Sequence, residues 1–179
     1  MNAEQYRAVI GWFNARPAAK MALRVISRSA VALVYLGYLG MLAWLAWHRM
    51  GQFWPALVVP AAAFLVGTLV RKVIDRPRPY TALRFTPLFP KDKAGQSMPS
   101  RHCFSAAAIA GAAWYVYQPW GLALAVLAVV IAVCRVVTGV HYVSDVLAGL
   151  AFGTVFSVLG WNAFVLAASA LGFYAIMLL

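Results

Sequence analysis

In the segment GVHYVSDVLAG, residues 139–149, His141 and Asp145 stand four positions apart, and Asp145 is one of only four acidic residues in a chain of 179. On a helix that spacing puts both side chains on one face. A carboxylate so placed can hydrogen-bond one imidazole nitrogen and leave the lone pair of the other directed at a substrate. It then fixes the tautomer, raises the basicity of the ring and stabilises the cation formed when the imidazole attacks. The same pair could also satisfy itself at a helix end with no chemistry, so the surrounding charges decide its meaning.

Those charges form clusters. Arg135 precedes His141 by six residues, about 240° away around an unbroken helix, so the two converge only if the helix breaks between them. Gly139 can supply the break. In SMPSRHCFSA, residues 97–106, Pro99 and Ser100 mark a helix start with Ser100 as its cap, where Arg101 and His102 of the first turn can face one anion. His102 alone reads equally as structural or catalytic. In RKVIDRPRPY, residues 71–80, Arg71, Lys72, Arg76 and Arg78 are interleaved with two prolines. That stretch is either a stop-transfer flank or a stiffened backbone that holds guanidinium groups in place.

Several arginines beside a nucleophilic histidine point to phosphoryl transfer, because guanidinium forks match phosphate oxygens and stabilise the charge that develops on them. Two histidines and a carboxylate could instead hold zinc, but the crowd of cations would repel a divalent ion. No metal and no cofactor are expected.

The elements that must carry these residues are membrane helices. The chain is 64% hydrophobic and 11% charged, too apolar for an ordinary soluble domain. Uncharged stretches run over 29–47, 53–70, 103–134 and 146–179. Gln118 to Gly121 and Gly160 to Asn162 are turn signals that divide the two longer ones. The expectation is an all-α polytopic bundle of about six transmembrane helices, at 29–47, 53–70, 99–117, 121–138, 143–160 and 163–179. Residues 1–179 form a single membrane-embedded domain, with 1–28 as an N-terminal amphipathic segment.

In that segment Tyr6, Val9, Ile10 and Phe13 share a face, and Lys20, Arg24 and Arg28 repeat every four residues. It either lies on anionic headgroups or only sets topology. No cleavable secretory signal is evident. Cys103 and Cys134 lack disulfide or metal spacing and read as packing residues. The net charge of +11 suits lipid phosphates rather than nucleic acid. Threading six spans puts 14 of the 15 basic residues, all four acidic residues, His102 and His141 on one side; Arg49 and His48, an interfacial histidine, lie on the other.

The three clusters in this order resemble the type 2 phosphatidic acid phosphatase family, whose pattern is Lys-x6-Arg-Pro, Pro-Ser-Gly-His and Ser-Arg-x5-His-x3-Asp. Here Arg71 is followed at that spacing by Arg78-Pro79, then come Pro99-Ser100-Arg101-His102 and Cys134-Arg135 with His141 and Asp145. The resemblance implies a six-helix fold and a metal-independent lipid phosphatase. His141 would be the nucleophile that forms a phosphohistidine, oriented by Asp145, and His102 would protonate the leaving oxygen and then activate water. Arg71, Arg78, Arg135 and Ser100, with main-chain N–H groups near Arg101, would hold the phosphate. Three departures stand out. The lysine position holds Arg71 with Lys72 beside it, so either could be the ligand. Arg101 replaces glycine and could add a phosphate or diphosphate contact. Cys134 replaces a serine.

The expected partners are the bilayer and a lipid phosphate such as undecaprenyl diphosphate, phosphatidic acid or phosphatidylglycerol phosphate; oligomeric state is not legible. A lipid phosphotransferase would use the same residues, and a non-catalytic lipid-phosphate binder or flippase would have no use for His141 and Asp145. The expected location is the cell (inner) membrane. The positive-inside rule puts the polar side in the cytoplasm, whereas the resemblance implies the opposite face.

Overall fold

Caps and prolines set the helix boundaries. In this computed structural model, which describes residues 1–170 and 172, every regular element among the described residues is an α-helix. The first, α1 (Ala3–Asn14), opens on a reciprocal cap: the Gln5 N–H donates to the Asn2 side chain and the Asn2 N–H to the Gln5 side chain, both at 2.9 Å. Pro17 then opens α2 (Pro17–His48), so Lys20, Arg24 and Arg28 share one helix with the first apolar stretch instead of preceding it. The next helix, α3 (Met50–Ile74), stops at Asp75, whose backbone is left-handed at φ 35°, immediately before the Arg76-Pro77 step. A single turn, α4 (Pro79–Ala82), begins a long loop. It leads to α5 (Arg101–Val116), α6 (Gln118–Val137) and α7 (Val143–Ala170).

The break between α5 and α6 falls at Tyr117, with Pro119 in the first turn of α6, as the turn signal predicts. The break expected at Gly160 to Asn162 is absent. There α7 continues through all three residues to Ala170, because an isolated glycine is tolerated inside an apolar helix and the Asn162 amide donates to the Val158 carbonyl one turn back at 2.7 Å. Residues 171 and 173–179 of the expected final span lie outside the described residues.

Among the described residues four helices, α2, α3, α6 and α7, are long and apolar enough to cross a bilayer. The fifth long element, α5, is the axis of the bundle: it packs against α3, α6 and α7, and residues 103–110 are buried along it. Small residues allow the approach. A Cβ on Gly153 would come within 2.3 Å of the Phe104 carbonyl oxygen, and one on Gly149 within 2.9 Å of that of Ser100. The closeness brings the first turn of α7 against that of α5, where the Ser100 N–H donates to the Asp145 carbonyl at 2.9 Å.

Packing gives the apolar face of the amphipathic α1 a partner within the protein. Tyr6 and Ile10 of α1 are buried against the protein itself: the Tyr6 ring stacks on Phe85 at 5.1 Å, and Ile10 and Phe85 close over Gly139. Cys103 and Cys134 are free and buried, consistent with packing. His48 is exposed and stacks on Trp44.

Candidate active site

The loop between α6 and α7 places the histidine. Here α6 ends at Val137, Gly139 takes a left-handed φ of 75°, and the chain folds back so that the Val140 and His141 N–H groups both donate to the Arg135 carbonyl at 3.3 Å. Residues 240° apart on a continuous helix are thus brought side by side by one glycine. Tyr6 holds the far side of the turn, donating to the His141 carbonyl at 3.1 Å. Burial pushes the Tyr6 phenol up to about 12, so it remains a donor.

His141 is 3% exposed and Asp145 fully buried, and their contact is less direct than the four-residue spacing suggests. Asp145 Oδ2 lies 3.5 Å from His141 Nδ1, long for a hydrogen bond. Ser97 fills the gap: its hydroxyl donates to Oδ2 and stands 3.3 Å from Nδ1. Since the single Ser97 proton goes to the carboxylate, Ser97 Oγ can only accept from Nδ1–H. The network therefore assigns the proton to Nδ1 and leaves the Nε2 lone pair to the cavity that His141 lines. Asp145 also accepts from the Tyr142 N–H at 2.9 Å and from Arg76 Nη1 at 2.8 Å. Arg76 in turn lies over the Tyr142 ring at 4.2 Å and donates to Ser144 Oγ at 2.8 Å.

Burial lowers the His141 imidazole below its ordinary range, with Asp145 pulling the other way and the charges of Arg78 and Arg71 reinforcing the fall. The expected gain in basicity from Asp145 is thus outweighed. What the surroundings supply instead is a neutral, oriented imidazole at ordinary pH.

The cavity measures about 360 Å³. Arg71, Arg78, Arg101 and Arg135 line it with His102 and His141, and Lys91, Asp92 and Lys93 from the long loop edge it. Loop carbonyls grip the arginines from behind. Arg71 donates to Pro99 O at 2.7 Å and to Gln96 O, and Arg78 Nε donates to Gly95 O at 3.2 Å. Each fork keeps further donors for a ligand. Arg135 Nε and Ser100 Oγ are buried and make no geometrically formed hydrogen bond among the described residues. Ser100 occupies the cap position of α5 without its side chain capping anything. Lys72 is exposed and does not line the cavity, so of the two candidates only Arg71 is in place. Among the described residues no three His, Cys, Asp or Glu side chains converge as a metal site requires.

The structure thus gathers Arg71, Arg78, Arg101, Arg135, His102 and His141 around the cavity, sets Asp145 behind His141 and Ser100, fully buried, against Asp145 and off the cavity lining, and leaves Lys72 outside. Sequence reasoning missed Ser97 and Arg76 as partners of Asp145. Arg76 was open to inference, since a buried carboxylate in so basic a chain needs a cation.

The PAP2 superfamily profile matches residues 52–168, the stretch that carries all three clusters. The chain belongs to the PAP2 superfamily. Over 100 residues, 53% of the chain, it is 37% identical to the lipid A 1-phosphatase of Rhizobium etli and 36% identical to that of Rhizobium johnstonii. The match spans 43% and 41% of those proteins, less than half of their length. Among solved structures, LpxE of Aquifex aeolicus superposes with a TM-score of 0.69 at 22% identity, covering 90% of this chain and 94% of that one. The PAP2-type phosphatidylglycerolphosphate phosphatase of Bacillus subtilis gives 0.54 at 23% identity, over 88% and 90%. These two likenesses establish the fold. The PAP2 chain is accordingly a multi-pass membrane protein, and all of its α1 and α2 lie before the matched stretch.

Proposed function

We propose that the protein hydrolyses a lipid phosphate monoester or diphosphate without a metal, through a phosphohistidine on His141, with residues 1–179 acting as one catalytic domain. The observation that carries this reading is an imidazole with Nδ1 committed to Ser97 and Asp145, set in a cavity walled by four guanidinium groups. His141 Nε2 attacks phosphorus and the bond to the lipid oxygen breaks. His102 gives that oxygen a proton, so the lipid leaves neutral at this atom. His102 then takes a proton from water, whose oxygen attacks phosphorus; the P–N bond breaks and free phosphate is released. Arg71, Arg78 and Arg135, with Ser100, hold the equatorial oxygens through both steps, and the unpartnered Arg135 Nε and Ser100 Oγ gain a partner when phosphate binds.

The substrates to test are undecaprenyl diphosphate, phosphatidic acid and phosphatidylglycerol phosphate, with the lipid A 1-phosphate named for the Rhizobium relatives. Purified protein is expected to release phosphate from at least one of them in EDTA. Turnover only with an added alcohol acceptor, without free phosphate, would make the protein a phosphotransferase.

The proposed location is the cell (inner) membrane. The excess of basic residues on the polar side supports a site that faces the cytoplasm. A cysteine introduced at Lys91 is then expected to resist an impermeant thiol reagent in intact cells, and labelling there would place the site on the outer face.

A further inference from the structure

A second chamber of about 520 Å³ opens beside the first and shares His102, Arg135 and Lys91 with it. Its outer wall is one face of α2, with Arg24 and Arg28 a helical turn apart and Ser27 between them. Arg24 lies 4.7 Å over the Phe89 ring, which fixes its direction. Neither arginine forms an ion pair with a carboxylate among the described residues. Deeper along α2 the wall turns apolar at Val31 and Ala32. Both arginines precede the stretch that the family profile matches, so they are features of this chain beyond the shared clusters.

We infer that this chamber is a subsite for the leaving lipid, built for one that carries a second phosphorus-centred anion close to the scissile bond. The inference rests on the phosphatase reading of the neighbouring cavity. In that reading His102 protonates the leaving oxygen, so the leaving group lies on the His102 side, and the second chamber is what it meets there. Two guanidinium groups without a carboxylate partner among the described residues would be poorly used by a leaving group that is neutral throughout, such as a diacylglycerol. They match the remaining phosphate of a lipid diphosphate, or the phosphodiester of phosphatidylglycerol phosphate. The apolar end of the chamber then receives the first methylenes of the chain.

The test compares hydrolysis of farnesyl diphosphate, phosphatidylglycerol phosphate and phosphatidic acid by the full-length protein and by Arg24→Gln/Arg28→Gln. Wild type should prefer one or both doubly anionic lipids, and which one identifies the source of the second anion. In the variant that preference, as a ratio of kcat/KM to phosphatidic acid, should fall about tenfold or more, as expected for losing a charge-assisted contact. Arg16→Gln/Lys20→Gln, which removes two basic residues outside both chambers, should keep the wild-type ratio. An unchanged ratio in the first variant, an equal loss in the second, or a wild type that favours phosphatidic acid would overturn the subsite. Binding of farnesyl methylenediphosphonate against farnesyl phosphonate reads the same ratio without turnover. A protein that releases no phosphate yet loses diphosphonate selectivity with Arg24 and Arg28 would sink the catalytic reading and uphold the subsite.

Discussion

His141→Ala is expected to cut phosphate release by on the order of 10⁴-fold or more while the protein still binds its substrate. The reason lies in the division of labour within the cavity. Arg71, Arg78, Arg101 and Arg135 line the cavity from three separate sequence clusters, and none of them is hydrogen-bonded to the His141 side chain. Removing the imidazole should therefore act on kcat and leave the dissociation constant for inorganic phosphate, which needs no bond to the nucleophile, within a few-fold. His141 lines an open cavity, so solvent can fill the vacated space. Rapid quenching with radiolabelled substrate should trap an acid-labile, alkali-stable phosphoryl label on wild type and none on the variant. The pH profile carries a second signature. Burial holds His141 below the ordinary histidine value of about 6.5, so its neutral form persists as the pH falls past that point and is lost only at the lowered value. The acid limb of wild-type kcat/KM should accordingly have its midpoint below 6.5. A variant that keeps wild-type turnover would remove His141 from the chemistry.

Much of this site was legible because its residues cannot be explained by the bilayer alone. Ionisable groups next to apolar spans are expensive, and here they recur in three clusters that a six-span threading puts on one side. The Arg135–His141 geometry shows what spacing can and cannot give. It required a break and indicated Gly139, and the break is there, with the carbonyl of Arg135 as its anchor. What stayed hidden was long-range. Ser97 lies 44 residues from His141, and Arg76 lies 69 from Asp145, so no local period couples them. The docking of Tyr6 onto the His141 carbonyl, 135 residues away, is invisible for the same reason, and its amphipathic pattern fits a lipid surface as well as a protein one. The misplaced break at Gly160 has a different origin. Length and the Gly160 to Asn162 turn signal together argued for two crossings, but a helix of 28 residues can run on when small residues such as Gly149 and Gly153 seat it against α5.

Asp145→Asn is expected to lower kcat by about 10²- to 10⁴-fold, through the tautomer of a residue that it barely touches. In wild type every neighbour of the carboxylate is a donor: the Ser97 hydroxyl, the Tyr142 N–H and Arg76. An amide can accept on one side only. If its oxygen faces Arg76, its NH₂ faces Tyr142 N–H and Ser97. The Ser97 hydroxyl must then accept, and its proton turns to His141 Nδ1. That reverses the relay, since an Nδ1 that accepts leaves the proton on Nε2, the nitrogen that has to attack. If the oxygen instead keeps Ser97, the NH₂ points at the Arg76 guanidinium, and a charge that was paired at 2.8 Å loses its carboxylate. Ser97→Ala separates the two contributions. It removes the relay but leaves Asp145 charged and 3.5 Å from Nδ1, so the imidazole can still donate weakly in the productive sense, and the loss should stay near 10-fold to 10²-fold. Chemical shifts of the His141 ring nitrogens in ¹⁵N-labelled protein distinguish the tautomers directly. Wild type and Ser97→Ala should show a protonated Nδ1, and Asp145→Asn a protonated Nε2 or a mixture. The reverse ranking, with Ser97→Ala the more damaging and the tautomer unchanged in Asp145→Asn, would mean that the hydroxyl orients the nucleophile and the buried carboxylate serves only to hold Arg76 and the start of α7.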